Sequence, residues 1–232
     1  MDLSKQVAVV SGSNRGLGKE LALELLARGA KVYAGARNPE SVDLPGAIAL
    51  QLDITDPESV AAAAQIASDA TLLINNAGSS TGASLLTGKL EDIQVEFNTH
   101  AFGTLSMIRA FAPVIEKNGG GSILNILSVL SWLTFGAEGA YSAAKSAQWG
   151  ITNALRLELA PKKIKVAGLH VGFMDTDMTA GVDAPKSSPK DIARIAIDGI
   201  EAGLYEILAD DISRQVQQGL AGGVAALYPD LG

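Results

Sequence analysis

The chain of 232 residues has no cysteine, which excludes disulfides, thiolate metal sites and a cysteine nucleophile. Histidine occurs twice, at His100 and His170, and neither has the spaced partners that a metal site needs. Both are read as structural, one inside a helix and one at the end of a buried strand, and no metal is expected. Basic residues are in the minority: 18 Lys and Arg against 25 Asp and Glu leave a net charge of −7. Without a basic excess to neutralise phosphates, no nucleic-acid or membrane partner is expected. No apolar run is long enough to span a bilayer, and Met1 to Gln6 lacks the apolar core of a signal peptide. The expected location is cytoplasmic.

What the chain does have is apolar bulk and glycine: 47% of residues are hydrophobic and 25 are Gly, which suits one α/β domain with a large core. Strand-like runs alternate with helical patterns. Strands are expected at Gln6–Ser11, Lys31–Ala36, Ala47–Leu52, Leu72–Ile74, Ser122–Leu127, Ile164–Val171 and Tyr205–Leu208. Helices are expected over Leu17–Arg28, from Asp56-Pro57 onward, and over Leu90–Lys117, Tyr141–Leu159 and Pro189–Glu201. Strands that are apolar throughout and separated by helices imply a mostly parallel sheet covered on both faces. No linker, low-complexity segment or repeat interrupts the pattern.

In such a sheet, ligands bind at the carboxyl ends of the strands. The first strand ends in Gly12-Ser13-Asn14-Arg15-Gly16-Leu17-Gly18. Gly12 permits a tight turn, Gly16 a close approach of a pyrophosphate, and Gly18 tight packing of helix on strand; the helix N-terminus offers N–H groups to phosphates. NAD-binding folds place an Asp or Glu after the second strand to hold the adenosine ribose. Here that position reads Gly35-Ala36-Arg37-Asn38, with no carboxylate. Arg37, with Arg15 from the other side, would clamp a 2′-phosphate, which favours NADP(H).

Tyr141 and Lys145 are one helical turn apart, and Ser128 lies upstream at a strand end. A phenol with a pKa of about 10 is nearly all protonated at neutral pH, and a neighbouring cation is expected to bring it closer to the working range. Ser128 would hydrogen-bond a reacting carbonyl oxygen.

Together these motifs resemble the short-chain dehydrogenase/reductase family, from the first strand to about Met178. Ser11-Gly12-Ser13-Asn14-Arg15-Gly16-Leu17-Gly18 matches its glycine turn, and Asn75-Asn76-Ala77-Gly78 its motif after the fourth strand. Leu52-Asp53-Ile54-Thr55-Asp56 is similar to its adenine-contacting segment. The resemblance implies a single-domain, doubly wound Rossmann-type parallel sheet over residues 1–232, with a cofactor half to about residue 125 and a catalytic and substrate half beyond. It implies a catalytic tetrad of Asn98, Ser128, Tyr141 and Lys145, in which Asn98 holds a water linking Lys145 to solvent. Cofactor contacts would come from the glycine turn, Arg37, Asn38, Asp53, Ile54, Asn76, Ala77, Gly78, Tyr141, Lys145, Gly172 and Thr176. Tyr141 would protonate a carbonyl oxygen as NADPH delivers a hydride, with Lys145 holding the nicotinamide ribose.

Three features depart from the family pattern. Val171 replaces a proline before Gly172, the Asn38–Gly46 link is too short for the helix many relatives have there, and the C-terminal segment from Tyr205 through Leu227-Tyr228-Pro229-Asp230-Leu231-Gly232 lacks the Gly and Asp-Gly-Gly pattern common near that end. Leu130, Trp132, Leu133, Phe135 and Phe173 suggest an apolar, partly aromatic pocket, with Ser79–Leu85 beside it and Thr179–Ser188 as a lid. The expected substrate is a hydrophobic ketone or aldehyde; the alternatives are alcohol oxidation or epimerisation at the same site, or a non-catalytic dinucleotide sensor. Pairing of the helices around Leu105 and Tyr141 would make a homodimer, with a monomer as the alternative.

Overall fold

β-Branched and leucine-rich runs form seven parallel strands: β1 (Val7–Ser11), β2 (Lys31–Ala36), β3 (Ile48–Gln51), β4 (Leu72–Asn75), β5 (Gly121–Ile126), β6 (Ile164–His170) and β7 (Glu206–Leu208). They lie in the order β3-β2-β1-β4-β5-β6-β7. The computed structural model describes residues 1–231, and Gly232, the last residue of the expected domain, lies outside them. Because β1 has β2 on one side and β4 on the other, the chain reverses direction across the sheet between β1 and β4. That reversal opens a crevice at the strand ends, the usual ligand position in an open α/β sheet.

The helices are α1 (Gly16–Ala27), α2 (Pro57–Ile66), α3 (Leu90–Glu96), α4 (Thr104–Lys117), α5 (Gly139–Leu159), α6 (Pro189–Glu201), α7 (Asp211–Gly219) and α8 (Gly223–Leu227). Helical spacing decides which face each one buries. α1 turns Leu17, Leu21 and Leu25 inward and α6 turns Ile192, Ala196 and Ile200 inward, all against one face of the sheet. On the other face, Val60 of α2, Phe111 and Ile115 of α4 and Leu155 of α5 pack together. Burying one such aliphatic or aromatic side chain contributes roughly 1.5–3 kcal/mol. With both faces covered, β1, β4 and β5 have no solvent side, so their strands do not alternate apolar with exposed polar residues, and even Ser122 and Asn125 of β5 are buried.

The Asn38–Gly46 link holds only a short turn of 3-10 helix at Pro39–Ser41, in line with its length. Leu90 to Lys117, expected as one regular helix, is divided: α3 passes into seven residues of π-helix, Phe97–Gly103, before α4. A π segment shifts the phase of every following side chain and is often found at functional sites. At the C-terminus, Asp210 caps α7 by accepting from the Ser213 N–H at 2.9 Å while Ser213 Oγ lies 3.2 Å from the Asp210 N–H. Among the described residues no helix is long and apolar enough to cross a membrane.

Candidate active site

The crevice between β1 and β4 is shaped by backbone. After Ser11 the chain turns through Gly12 and Gly16, at φ +68° and +54°, conformations that side chains disfavour. A Cβ at Gly18 would overlap the Gly12 carbonyl oxygen, so α1 packs on the turn only because that residue is glycine. Arg15 precedes α1 without capping it by side chain, which leaves the first N–H groups of the helix to a ligand. Ser11 Oγ accepts the N–H groups of Asn76 and Ala77, both at 3.0 Å, and Asn76 Nδ2 donates to the Ser11 carbonyl at 2.9 Å. These bonds tie the end of β4 to the glycine turn. Ser13 is a brace as well, its buried hydroxyl donating to the Val10 carbonyl at 2.7 Å, whereas Asn14 is exposed. An open glycine cradle with unpaired N–H groups is the donor set that a dinucleotide pyrophosphate requires.

Beyond β2, Arg37 and Asn38 are both exposed. Asn38 Oδ1 already accepts the Glu40 N–H at 3.0 Å. Arg37 has no carboxylate partner among the described residues, while Arg15, expected to join it in a clamp, pairs with Asp177 at 2.8 Å. The segment after β6 therefore folds towards the glycine turn, and Thr176 Cγ2 stands 3.5 Å from where a Gly16 Cβ would be. Gly172, at the start of that segment, donates its N–H to Asp210 Oδ2 at 2.7 Å. Asp53 uses one carboxylate oxygen to accept from Thr55 N and Oγ1, at 2.9 and 2.7 Å, and its other oxygen takes no part in those bonds. Ile54 is buried and packs against Gly103.

The second half of the crevice is built from side chains. Tyr141 and Lys145 project from the first turns of α5, and Ser128 sits just past β5, where its Oγ accepts the Leu130 N–H at 3.1 Å. Lys145 is 5% exposed and donates to the Ile126 carbonyl at 2.7 Å and to Gln148 Oε1 at 3.0 Å. Its Nζ lies 5.7 Å from the centre of the Tyr141 ring. Burial pulls the Lys145 ammonium down to about 7, against the opposing pull of the Glu96 carboxylate.

The expected lowering of the Tyr141 phenol does not occur. Burial pushes it up; the neighbouring Ser128 hydroxyl favours the phenolate, but the Glu96 and Glu138 carboxylates disfavour it further. Desolvation outweighs the single opposing influence, the Ser128 hydrogen bond.

Asn98 is not brought to the pair. It is exposed on the π segment and makes no side-chain hydrogen bond among the described residues. His100, two residues on and read from the sequence as structural, holds the inward position: it is buried, and its ring stands edge-on to Tyr141, centroids 5.1 Å apart at 83°. Glu96, one turn earlier and buried as well, lies 3.3 Å from His100 Nε2. The available signal was this i, i+4 spacing of an acid and a histidine on one helical face.

Ser128 is also tied to His170, whose Nδ1 lies 3.2 Å from the Ser128 carbonyl and whose Nε2 lies 2.8 Å from Glu206 Oε1. Trp132 stacks on that imidazole at 3.6 Å. Beyond it, Leu85, Trp132, Leu133, Ser142, Ala143 and Tyr228 line a cleft of about 220 Å³. Tyr228 reaches it from the C-terminal segment, its hydroxyl accepting the Thr134 N–H at 2.9 Å. Of the expected apolar wall, Leu130 is buried and Phe135 is exposed, and neither lines this cleft. Within the expected lid, Ser187 pairs with Phe173 and Asp175 through backbone bonds of 2.8 and 3.0 Å.

Residues 6–187 match the short chain dehydrogenase family model. The chain belongs to this family. A short-chain dehydrogenase from Burkholderia cenocepacia J2315, solved in complex with NADP, superposes with a TM-score of 0.95 at 38% identity, covering 100% of this chain and 99% of that one. The 3-oxoacyl-(acyl-carrier-protein) reductase of Synechocystis sp. is 32% identical over 90% of this chain and 91% of that protein. The NADPH-dependent 1-acyldihydroxyacetone phosphate reductase of Schizosaccharomyces pombe is 33% identical over 76% of this chain and 62% of that protein. As a short-chain dehydrogenase, the chain is an oxidoreductase, and the expected doubly wound parallel sheet is the family's fold.

Proposed function

We propose that this short-chain dehydrogenase is an NADPH-dependent carbonyl reductase acting on hydrophobic ketones or aldehydes. The observation that carries the reading is the convergence of Ser128, Tyr141 and Lys145 at the strand ends beside an uncapped glycine cradle. Arg37, exposed and without a carboxylate partner where NAD-binding folds keep an acid, would take the 2′-phosphate. The naming of NADP and NADPH for two relatives supports the same choice. The glycine turn would hold the pyrophosphate, Asp53 the adenine, Asn76 to Gly78 and Thr176 the rest of the dinucleotide, and Lys145 the nicotinamide ribose. Asn98, Asn38 and Ile54 have no part in this assignment.

When bound, NADPH supplies the hydride. Ser128 orients the carbonyl oxygen, and Tyr141 gives that oxygen its phenolic proton. Burial keeps the phenol in its protonated form, the form that gives a proton to a carbonyl oxygen in the reductive direction. Lys145, near 7, is poised to return a proton to the phenolate at neutral pH. Trp132, Leu133 and Leu85 give the cleft an apolar wall, suited to a hydrophobic substrate rather than a sugar nucleotide. The protein acts in the cytoplasm, as a homodimer through the helices around Leu105 and Tyr141, where Leu105 is half-buried and its neighbour Phe102 exposed; light scattering on a sizing column tests this.

The test is to follow NADPH and NADH absorbance against a panel of ketones, aldehydes and quinones. Turnover of apolar carbonyls with NADPH preferred is the expected result. Faster turnover with NADH overturns the Arg37 assignment, and no turnover of any carbonyl overturns the reductase reading.

A further inference from the structure

The reaction as described leaves one buried ionisable pair unused. Glu96 and His100 are 0% and 1% exposed, and both face the Tyr141–Lys145 pair from the junction of α3 with the π segment. Glu96 is held from two sides: Oε1 accepts the Thr81 N–H, and Oε2 accepts from Ser79 Oγ at 3.1 Å. His100 Nε2 lies 2.9 Å from the Ser79 carbonyl and 3.3 Å from Glu96 Oε2, two oxygens that only accept. The Ser79 N–H also approaches Nε2, at a longer 3.4 Å. Two closer acceptors assign the proton to Nε2, which makes Nδ1 of the neutral ring an acceptor. That Nδ1 is buried and has no hydrogen-bond partner among the described residues. An unmet buried acceptor costs about 1–3 kcal/mol, so its retention beside the reacting phenol calls for a function. The free edge of the ring borders Gly78, whose Cβ, if present, would lie 2.9 Å from Cε1 and 3.7 Å from Nδ1. Any side chain at Gly78 would close that edge.

We propose that Glu96 and His100 form a positioning dyad for proton return: Glu96 fixes the Nε2–H tautomer, and the His100 Nδ1 acceptor anchors the water through which Lys145 regains its proton. This rests on the reductase reading above. In one reduction, the Tyr141 O–H bond breaks as the alcohol O–H bond forms. The phenolate takes a proton from the Lys145 ammonium, and the Lys145 amine takes one from the anchored water, whose second hydrogen is donated to Nδ1. The resulting hydroxide takes a proton from bulk solvent, so one solvent proton is consumed per carbonyl reduced, and His100 and Glu96 end as they began. Burial and the nearby Lys145 ammonium hold the imidazole well below its usual range, which keeps Nδ1 unprotonated at neutral pH. His100 touches neither substrate nor hydride and acts only through Lys145 and Tyr141.

Two titratable groups face the dyad from α5, Tyr141 and Lys145, and Glu138 lies just before that helix. The loop after β4 contributes only the neutral Ser79 and Thr81 to the dyad's hydrogen bonds.

The chain has two histidines, so ¹⁵N-histidine labelling of the free protein gives two ring systems, assigned with His100→Asn. The expected spectrum shows His100 neutral at pH 7 with the proton on Nε2; a proton on Nδ1, or a charged ring, overturns the proposal. This measurement needs neither cofactor nor substrate, so it is decided separately from the carbonyl panel. In turnover, His100→Leu is expected to lose at least about tenfold in kcat with the substrate KM retained and the solvent deuterium effect increased. His100→Asn, which keeps an acceptor, is expected to recover most of that loss. Glu96→Gln is expected to move the kcat–pH limb of Lys145 to lower pH, because a carboxylate that favours the ammonium is gone. If His100→Leu keeps wild-type kcat and isotope effect, or if the limb stays in place in Glu96→Gln, the dyad has no role in proton return.

Discussion

The two halves of the crevice are made of different material. The glycine turn after β1 is backbone, held open by residues that have no side chain and stitched to β4 by Ser11 and Asn76. The acid–base half between β5 and α5 is side chain, and its properties come from burial and from charges on other elements. The first half is rigid by geometry, and a single added carbon breaks it. The second half is tuned, because Tyr141, Lys145, Glu96 and His100 set one another's protonation. A change in the turn should therefore act on folding and cofactor binding together, and a change in the acid–base half on proton chemistry.

The largest expected effect is on the tuned side. Tyr141→Phe removes the proton donor and should lower kcat by about 10²–10⁴-fold while NADPH still binds. Absorbance assays paired with a fluorescence titration of NADPH check both parts, and near-normal turnover would sink the assignment.

Lys145 sharpens the contrast through stability. Its pKa of about 7 in the folded protein lies below the ordinary 10.5, so between those values the unfolded chain holds a proton that the folded one lacks. Stability then rises with pH across that window, by up to about 1.4 kcal/mol per unit, and below it the burial penalty is felt in full. Lys145→Met should abolish the rise, as denaturant unfolding at a series of pH values between about 7.5 and 9.5 would show. An identical slope in the variant would mean that another group titrates.

On the backbone side, Arg37→Ala should weaken NADPH relative to NADH by the worth of one charge-assisted contact, about 1.5–3 kcal/mol. An unchanged NADPH/NADH preference would take the 2′-phosphate away from Arg37. Gly18→Ala should cost about 1–3 kcal/mol of stability, because its Cβ meets a backbone carbonyl that has nowhere to move. Thermal melts without and with NADPH would show the loss and a diminished shift on cofactor addition. A wild-type melt would contradict the close approach.

The same contrast explains what was legible in the sequence. The turn at Gly12, Gly16 and Gly18 is local, and its positive φ angles and close approach leave a mark at fixed spacing. Buried runs and helical periodicity likewise betray the parallel sheet, because the strands have no polar face to alternate with. Asn98 was misleading because an asparagine before a helix interior carries no record of helical phase, and the π segment Phe97–Gly103 turns His100 inward instead. Arg15 was assigned a phosphate, yet a carboxylate 162 positions away at Asp177 meets it. The spacing of Tyr141 and Lys145 announced a pair but not its electrostatics, since burial, which decides the direction of both shifts, belongs to the tertiary structure. The dyad was missed for the same reason, as an acid and a histidine four apart acquire meaning only once α5 is packed against them.

Carbonyl reduction requires that the hydride reach the carbonyl carbon as Tyr141 protonates the oxygen. Incubation of the protein with NADPH carrying two deuteriums at nicotinamide C4, together with the carbonyl turned over fastest in the panel, can be read by mass spectrometry of the product. One deuterium on the carbinol carbon, and its disappearance from the product pool in Tyr141→Phe, is the predicted result. An alcohol formed without deuterium would contradict it.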